Sequence, residues 1–471
     1  MKILLIQPKM NMRPMDTKLK TRMSPSLALL VLAKLTPSAH QIKIINENTQ
    51  KINFNEKVDL VAITVTVDVF PRAVQIASEF RKHNITVVAG GIHITAVPDE
   101  TASYFDAVCV GTAERVWQKI LIDKENNTLK NIYKDMDKLE GKELCSPDYT
   151  AIQPDKYLYT NVISTSRGCP HKCDFCYNSC ADSVRYMNRP VEDVICDIMV
   201  LKTKHIMFID DNFIGNPRWT KELLLRIAQL DLKWNAAVSV NILDHLDLLD
   251  LMKKTGCQSL FIGFETINDR SLRSVHKNQN MIEKYDALIS EIHLRGIMIN
   301  ASIVFGLPDD DKYVFENTLN WLIKNRIETV TAHILTPYPG TILQNNMLLK
   351  NQIEDFDLSH YNTAHVVFKP EKMSSKQLYD GYIRFYKEFY AIKNIIRRIP
   401  QNKEQRMPFL LFNFFYRKYG KFTELLSSII PLHFLGKVAE YFSYREHRGI
   451  KILKRPKRRF LRGFTHSLLR R

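Results

Sequence analysis

Short apolar runs and amphipathic segments alternate along residues 1–123. The apolar runs read KILLIQP, QIKIINEN, DLVAITVTV, TVVAGG and AVCVG, and they predict five β-strands. After the third run, the spacing of hydrophobic residues predicts a helix with Phe70, Ala77 and Phe80 on one face. Because consecutive strands leave room for crossover helices, we expect a parallel, doubly wound, Rossmann-like sheet. Residues 124–158 are polar, lose this periodicity and are predicted to form a linker.

A second series of apolar runs begins at Asn161. Its six runs are NVISTSRG, KHIMFIDDN, WNAAVSV, SLFIGFET, MINASIVFG and TVTAHILTP, and amphipathic helical segments separate them. Six such βα units predict a (β/α)6 partial TIM barrel over residues 159–345, with its chemistry at the C-terminal ends of the strands. Residues 346–471 lose the strand pattern and are predicted to form a helical C-terminal region. The predicted fold class is therefore α/β.

The composition is that of a globular protein with more than one domain. Of the 471 residues, 45% are hydrophobic and 25% are charged, which excludes fibrous and disordered classes. Eight cysteines in a chain that starts without a secretory signal pattern predict reduced thiols in the cytoplasm. In that compartment, clustered cysteines indicate metal binding or catalysis. The sequence contains no apolar run of the roughly 18 residues that a membrane-spanning helix needs.

The net charge of +17 is concentrated at the C-terminal end of the chain. Residues 391–471 contain 20 Lys/Arg against 4 Asp/Glu, and residues 451–471 contain nine Lys/Arg and no acidic residue. Apolar aromatic segments precede this basic tail, a pattern that favours peripheral contact with an anionic membrane, here its inner face. A solvated helical cap is the first alternative. Nucleic acid is a weaker one, because phosphate binding does not need long apolar segments.

The strongest chemical signal is a CxxxCxxC run directly after the first barrel strand. Cys169, Cys173 and Cys176 form CPHKCDFC at the predicted active rim. Three thiolates can hold three irons of a [4Fe–4S] cube and leave the fourth iron open to an exogenous ligand. A zinc site completed by Cys180 is the alternative, but structural zinc usually joins CxxC pairs from two places in a chain. The spacing therefore favours the cluster.

The segment STSRGCPHKCDFCYN resembles the cluster loop of radical S-adenosylmethionine (SAM) enzymes, and Phe175 matches the aromatic residue before the third cysteine. The stretches GGIHITAVPDE and GTAE resemble the cobalamin-binding domain that precedes the barrel in the class B, methylase-type branch. This resemblance implies a [4Fe–4S] cluster, SAM, cobalamin and a reductant such as flavodoxin or ferredoxin. It also implies that SAM is cleaved to a 5′-deoxyadenosyl radical, which takes hydrogen from an unactivated carbon.

The same resemblance implies which residues bind SAM. FIDDNF lies where the second strand of the family contacts the methionine amino group, which indicates Asp210, Asp211 or Asn212. GFET matches the position that faces the ribose, so Glu265 is the expected hydroxyl acceptor. VFGLP matches the glycine-bearing motif beside the adenine and indicates Gly306.

A cobalamin site is expected at the carboxyl edge of the first sheet, because open α/β sheets bind ligands outside the carboxyl ends of their strands. The residues that would surround this crevice follow three of the apolar runs: Thr64, Thr66, Gly90, Gly91 and Gly111. The glycines would let a ligand approach the backbone, and the family resemblance assigns that ligand as cobalamin. No Asp-x-His-x-x-Gly motif supplies a lower axial histidine, and we expect His93 to stabilise its loop rather than bind cobalt.

The expected function is cobalamin-dependent C-methylation of a lipid or another small hydrophobic molecule. Residues 360–390 loosely resemble the region after the barrel in members that act on lipids. A radical SAM cyclase, C–C coupling enzyme or oxidase without methyl transfer is the first alternative. A tRNA-modifying methylthiotransferase would carry a second cysteine triad, whereas residues 1–123 contain only Cys109. A non-enzymatic zinc-binding interaction protein is the most distant alternative.

Overall fold

The computed structural model describes residues 1–443, except 136–138, 181–183, 275–276, 278 and 428. The predicted basic tail, residues 451–471, lies outside the described residues. The strands are β1 (Lys2–Gln7), β2 (Gln41–Asn46), β3 (Leu60–Thr64), β4 (Thr86–Gly90), β5 (Ala107–Val110), β6 (Ile132–Lys134), β7 (Val162–Ile163), β8 (Ser166–Arg167), β9 (Met187–Asn188), β10 (His205–Phe208), β11 (Lys233–Val238), β12 (Cys257–Glu265), β13 (Met298–Phe305) and β14 (Thr329–Ile334).

The helices precede, connect and follow these strands. They are α1 (Leu27–Leu35), α2 (Phe70–Lys82), α3 (Ile92–Ala96), α4 (Pro98–Thr101), α5 (Trp117–Glu125), α6 (Val191–Leu201), α7 (Pro217–Ile227), α8 (Leu246–Lys254), α9 (Asp269–Ser274), α10 (Tyr285–Leu294), α11 (Val314–Lys324), α12 (Ile342–Leu349), α13 (Ser375–Phe389), α14 (Ile392–Arg397), α15 (Lys403–Leu410), α16 (Gly420–Leu426) and α17 (Leu432–Ser443). A π-helix, Leu411–Lys418, joins α15 to α16.

The first sheet is parallel and has the strand order β2-β1-β3-β4-β5-β6. Its core strands are apolar on both faces because helices cover both sides, as expected for a doubly wound sheet. The sequence predicts five strands, but the sheet has six. The additional strand, β6, pairs in parallel with β5 and comes from residues assigned to the 124–158 linker. Three residues are too few to show a strand period, so the hydrophobic pattern could not reveal β6.

The second sheet is also parallel, with the order β14-β13-β12-β11-β10-β7. Each strand therefore lies beside the previous strand of its series. Along β11, Trp234, Ala236 and Val238 are buried, whereas Lys233 and Asn235 on the other face stay half-buried. One face of β11 thus packs into the core while the other keeps contact with solvent. The predicted α/β class with parallel sheets is confirmed.

Helix α13 covers the outer edge of β14. The Tyr386 hydroxyl accepts from the Ala332 amide at 2.7 Å and donates to the Ala332 carbonyl at 3.1 Å. The Tyr390 hydroxyl bonds the amide and carbonyl of Val330 at 3.3 and 3.0 Å. These bonds satisfy edge groups that would otherwise invite another strand to pair.

The carboxyl edges of the two sheets face each other. Val67, which follows β3, is buried in the hydrophobic core of the second domain. Gly340, which follows β14, approaches the backbone of α3 so closely that a Cβ on it would lie 2.7 Å from the Ala96 oxygen. Loops from the functional ends of both sheets therefore share one interface.

Candidate active site

The loop that carries the three cysteines begins directly after β8. Gly168 has a φ of +71°, and a Cβ there would lie 2.5 Å from the Val184 oxygen, so a side chain does not fit. The loop then presents Cys169, Cys173 and Cys176, called the triad below. Glycine at 168 thus permits the tight turn that brings the triad to the carboxyl edge of the second sheet.

The triad thiols share one partly buried region. Burial raises the pKa of all three, to about 12 for Cys176. The charges of Cys169 and Cys173 also act on Cys176, so the three sulfurs form one group. Thiols in these surroundings stay protonated near neutral pH unless a strong positive charge binds them. A metal centre supplies such a charge, because coordinated thiols are deprotonated outright.

Two residues that sequence analysis missed stand beside the triad. Gln279 Nε2 donates to Cys173 Sγ at 3.6 Å. Lys277 is only 8% exposed, and its charge lowers the pKa of Cys169 and Cys173 against the effect of burial. Both residues lie in a polar segment between α9 and α10 that contains no motif, so nothing in the sequence distinguishes them from surface residues.

Glu265 ends β12 and forms an ion pair with Lys277. Ser302 Oγ donates to the Glu265 carboxylate at 3.4 Å. The backbone of Glu265 has a φ of +65°, and the register against β13 shifts between Gly263 and Glu265. Backbone strain of this kind clusters at functional sites, so it supports a functional role for the end of β12. The structure brings Glu265 close to the triad through Lys277, and the ribose role stays a prediction.

Asp210 fastens the start of the cysteine loop. Its carboxylate accepts from the backbone amides of Thr165 and Ser166, both at 2.7 Å, and from their hydroxyls at 3.0 and 2.8 Å. Ser164 Oγ adds a longer contact of 3.5 Å. These donors occupy the hydrogen-bond acceptor positions of the carboxylate in this structure. Asp210 therefore acts as a positioning residue for the segment that leads to the triad.

The next two residues of the FIDDNF motif have different surroundings. Asp211 is exposed, accepts from Asn178 Nδ2 at 3.0 Å, and lies near enough to the triad to raise the pKa of Cys169 and Cys176. Asn212 is buried and exchanges hydrogen bonds with Ser239 at 3.2 and 3.3 Å, which joins the ends of β10 and β11. Of the three predicted amino-group ligands, Asp211 has the most available carboxylate.

The structure explains why residue 306 is a glycine, which the sequence alone did not show. Its φ is +91°, and a Cβ would lie 2.7 Å from Leu378 Cδ2 on α13. The amides of Gly306 and Leu307 donate to Asp310 Oδ2 at 3.0 and 3.1 Å. The turn and the packing of α13 therefore account for the glycine, and an adenine contact stays a prediction. Phe175 is half-buried and packs against the core of the second domain.

The predicted glycines of the first-domain crevice differ in the space around them. Gly91 has a φ of +113°, and its Cβ would lie 2.7 Å from the Val65 oxygen, so the backbone itself needs glycine. Gly111 has a φ of +84°, and a Cβ there would meet nothing within 4 Å. Gly90 ends β4 in ordinary contact with Cys109. Only at Gly111 does the absent side chain leave open space.

The two threonines lie at the same edge. Thr64 ends β3 and is half-buried, while Thr66 is exposed and donates through Oγ1 to Asp68 at 2.7 Å. The structure thus brings the five predicted crevice residues to the carboxyl ends of β3, β4 and β5.

His93 connects this crevice to the cysteine loop. It is 1% exposed, and its Nδ1 lies 3.4 Å from the hydroxyl of Tyr177, which directly follows Cys176. Tyr177 stacks on Tyr338 with 4.7 Å between ring centroids. Burial lowers the pKa of His93 to about 4, so the ring is neutral near pH 7. The crevice and the triad therefore lie on either side of one short chain of contacts.

Comparison with known proteins identifies the family. Residues 163–322 match the family described as the radical SAM superfamily. An uncharacterized methyltransferase of Pyrococcus horikoshii is 30% identical over 432 residues, which span 82% of this chain and 92% of that protein. This chain belongs to the radical SAM superfamily.

Two further similarities extend over most of this radical SAM enzyme. The bacteriochlorophyllide d C-12(1)-methyltransferase of Chlorobaculum tepidum is 29% identical over 433 residues, which span 88% of this chain and 94% of the relative. TsrM of Kitasatospora setae is a radical SAM methyltransferase whose structure has cobalamin and a [4Fe–4S] cluster bound. It superimposes with a TM-score of 0.59 at 16% identity, covering 74% of this chain and 75% of TsrM, which shows a shared fold.

Membership of the radical SAM superfamily confirms the predicted family, the enzymatic nature of the chain, and SAM and the [4Fe–4S] cluster as its cofactors. The donor set fits the cluster. Among the described residues, no three His, Cys, Asp or Glu side chains converge on one point as ligands of a single ion do. In a cube each thiolate binds a different iron, so the triad sulfurs need not converge. Cys180, the fourth ligand of the zinc alternative, is buried in the apolar core of the second domain.

Proposed function

We propose that this radical SAM enzyme is a cobalamin-dependent C-methyltransferase that acts on a small hydrophobic molecule. The observation that carries the proposal is a contact between the two predicted sites: His93, which follows Gly91 of the predicted crevice, meets Tyr177 of the cysteine loop. A methyl donor in the crevice and a radical generated at the triad would then act on one substrate between the two domains.

The relatives support both the reaction and the substrate class. Two of them are named as methyltransferases, and the named substrate of one is bacteriochlorophyllide d, a tetrapyrrole. We infer that the substrate of this chain is likewise hydrophobic, either a tetrapyrrole or a lipid. A reductant such as flavodoxin or ferredoxin would supply the electron that this chemistry consumes.

The residues around the triad would have different roles. When bound, the cluster and SAM supply the radical that takes hydrogen from carbon, and the corrinoid supplies the methyl group. The three cysteines hold the cluster, and Asp210 keeps their loop in place through four short hydrogen bonds. Asp211 is the carboxylate best exposed to accept from an ammonium group, and Glu265 is the one buried near Lys277 for a hydroxyl.

A corrinoid held in the predicted crevice would not depend on His93 as a ligand. The open space at Gly111 admits a flat ligand against the backbone. His93 is held by Tyr177 and packs edge-on against Phe70, with 4.9 Å between ring centroids. A ring fixed on both sides is not free to turn towards a metal, so we do not expect His93 to bind cobalt.

The test is anaerobic reconstitution with iron, sulfide and cobalamin, followed by metal analysis and turnover with SAM that carries a trideuterated methyl group. We expect the protein to retain iron and cobalt and to form 5′-deoxyadenosine. We also expect the mass of bacteriochlorophyllide d, or of a molecule in a lipid extract, to increase by that of one trideuterated methyl group in place of hydrogen. Protein that cleaves SAM but never retains cobalt would instead support the cyclase, coupling or oxidase alternative.

We also propose that the C-terminal helices contact an anionic membrane at its inner face. Among the described helices, none is both long and apolar enough to cross a bilayer. An apolar face is nevertheless exposed on α15, the π-helix, α16 and the segment after them. Its most exposed members are Met407, Phe415, Tyr419, Phe422, Leu425, Ile429 and Phe434. A contiguous exposed apolar face of this kind is typical of interfacial insertion, and the basic tail would add attraction to anionic headgroups.

Vesicle co-sedimentation tests the membrane proposal. Truncation after residue 443 should weaken binding to anionic vesicles, because each removed cation contributes about 1 kcal/mol near the surface. Phe422→Ser should weaken the salt-resistant part of the binding. Leu349→Ser is the matched control, since Leu349 is 84% exposed on α12, away from the apolar face. Equal binding by the truncated, Phe422→Ser and control proteins would contradict the membrane proposal.

A further inference from the structure

Arg417, on the π-helix, lies inside a cage of aromatic rings. Its guanidinium carbon is 5.2 Å from the centroid of Tyr416, 5.5 Å from Phe412, 5.6 Å from Tyr390 and 5.8 Å from Tyr386. Each ring is close enough for a favourable cation–π contact. The cage holds the charge in an apolar surrounding but offers the N–H groups no acceptor in the plane of the guanidinium.

Within the described part of the chain, Arg417 makes no hydrogen bond and no ion pair, and its Nε is buried without a partner. A second arginine of the same region, which is fully buried, shows the contrast. Arg398 donates to the carbonyls of Asn394, Ile327, Glu328 and Phe389 at 2.7–3.1 Å. Buried charges are normally paired or hydrogen-bonded, because desolvation without partners is costly. Arg417 as a whole is half-buried, and its buried Nε has no acceptor among the described residues, so the planar fork can accept a partner from outside them.

The surroundings of Arg417 leave positive charge in excess. Arg13 and Arg417 both act on His333, whose pKa is lowered to about 4 by burial and by these two charges. His333 is therefore neutral near pH 7 and adds no negative charge. The nearby carboxylate of Asp16 is held by Arg13 at 2.6 Å and by Lys20 at 3.6 Å. Asp68 also faces Arg13, so two carboxylates face three cations, and neither is bonded to Arg417.

The cage lies beside β14, the edge strand of the second sheet. Tyr386 and Tyr390 bond the outer edge of β14, and His333 lies on the same strand. The charge of Arg13 also acts on Tyr338, which stacks on Tyr177 next to Cys176. The charge of Arg13 therefore acts both on the stacked tyrosines beside the triad and on Tyr386 of the cage.

We propose that Arg417 binds the carboxylate of a hydrophobic substrate, with the four rings contacting the apolar part next to that group. The inference rests on the proposed function, since it names the chemical class of the molecule to be methylated. A guanidinium fork matches the two oxygens of a carboxylate, and aromatic walls favour an apolar body beside it. A neutral lipid would leave the fork unpaired.

The test is equilibrium dialysis of the full-length, reconstituted protein with 1-pyrenebutyrate and with its methyl ester, a pair that differs only in the anionic group. We expect the acid to bind at least about tenfold tighter than the ester, as for one charge-assisted hydrogen bond to a buried group. Arg417→Met should reduce acid binding to the level of the ester and leave ester binding unchanged. Methionine replaces the side chain as far as about Nε with an apolar one, and its sulfur can still contact the rings.

Arg384→Met is the matched control, because Arg384 is exposed on α13. It should keep the preference for the acid. If Arg417→Met does not fold, Arg417→Lys decides, since it keeps the charge, loses the fork and should keep only part of the preference. The proposal is overturned if the wild-type protein binds neither probe, binds acid and ester equally, or if Arg417→Met or Arg417→Lys keeps the full preference. No methyl transfer is measured, so a failed binding test leaves the methyltransferase proposal standing, and failed methylation leaves the acid preference standing.

Discussion

Replacing Asp210 with alanine should loosen the loop that carries the triad. Oδ1 of Asp210 accepts from the amides of Thr165 and Ser166 at 2.7 Å each and from Ser166 Oγ at 2.8 Å. The residue is only 5% exposed, so solvent cannot readily replace the lost acceptor. Each buried donor left without a partner costs about 1–3 kcal/mol, and two amides therefore cost roughly 2–6 kcal/mol. For a domain of this size, that loss lowers the unfolding temperature by roughly 5–20 °C.

Asp210→Asn is the matched variant. An asparagine oxygen in the Oδ1 position still accepts from both amides, and the new NH2 group can donate to the Thr165 hydroxyl, which rotates to accept. Only the charge-assisted part of the bonds is lost, roughly 1–2 kcal/mol. We therefore expect Asp210→Ala to unfold earlier and retain less iron after reconstitution, while Asp210→Asn stays close to the wild-type protein in both properties.

Thermal unfolding by circular dichroism, iron analysis and 5′-deoxyadenosine formation measure these effects. An alanine variant with the wild-type unfolding temperature and full iron content would refute the bracing role of Asp210. A different result would be equally informative. If Asp210→Asn folds and retains iron but no longer binds SAM, the carboxylate contacts the cofactor, as the sequence resemblance implies.

Three further sets of substitutions test other parts of the site. Alanine at any triad position should abolish iron binding and SAM cleavage, whereas Cys180→Ala should leave both intact; equal iron loss would contradict a three-cysteine site. Burial raises the pKa of Asp310 to about 7, so its contribution to stability is lost as the pH rises through that value. Asp310→Asn should therefore flatten the fall in melting temperature between about pH 4 and pH 7, the range from the ordinary to the raised pKa, and an unchanged slope would exclude this titration. Gly111→Ala should reduce cobalt retention in folded protein, whereas Gly91→Ala should lower the melting temperature; the opposite ranking would argue against a ligand at Gly111.

The parts of the site that the sequence predicted are those whose chemistry depends on spacing along the chain. The triad forms one motif in one loop, so its grouping needs no tertiary information. The parallel sheets follow from apolar runs separated by amphipathic helices. Strand β6 escaped detection because its three residues acquire a strand partner only through tertiary packing.

Residues whose role arises from packing could not be predicted. Lys277 resembles any surface lysine until the fold buries it against Glu265 and the triad. Gly306 belongs to a motif that indicates a cofactor contact, yet Leu378 of α13 fills the space beside it. Arg417 lies in an aromatic, basic segment whose sequence predicts contact with a membrane surface. Only the fold shows that its side chain lies among four aromatic rings. In each case the deciding contact joins residues that are distant or irregularly spaced in the chain.

The facing of the two sheets follows from a property that they share. In a parallel sheet with crossover helices, the ligand-binding loops emerge at the carboxyl edge. Two such sheets can act on one substrate only if these edges meet, and the contacts of His93 with Tyr177 and of Gly340 with Ala96 join them here. Val67 stabilises this arrangement, because it is buried in the hydrophobic core around the second sheet and would be exposed to solvent if the two edges separated. The carboxyl edge of the first sheet and the loop of the triad therefore meet at one interface, to which both sheets contribute.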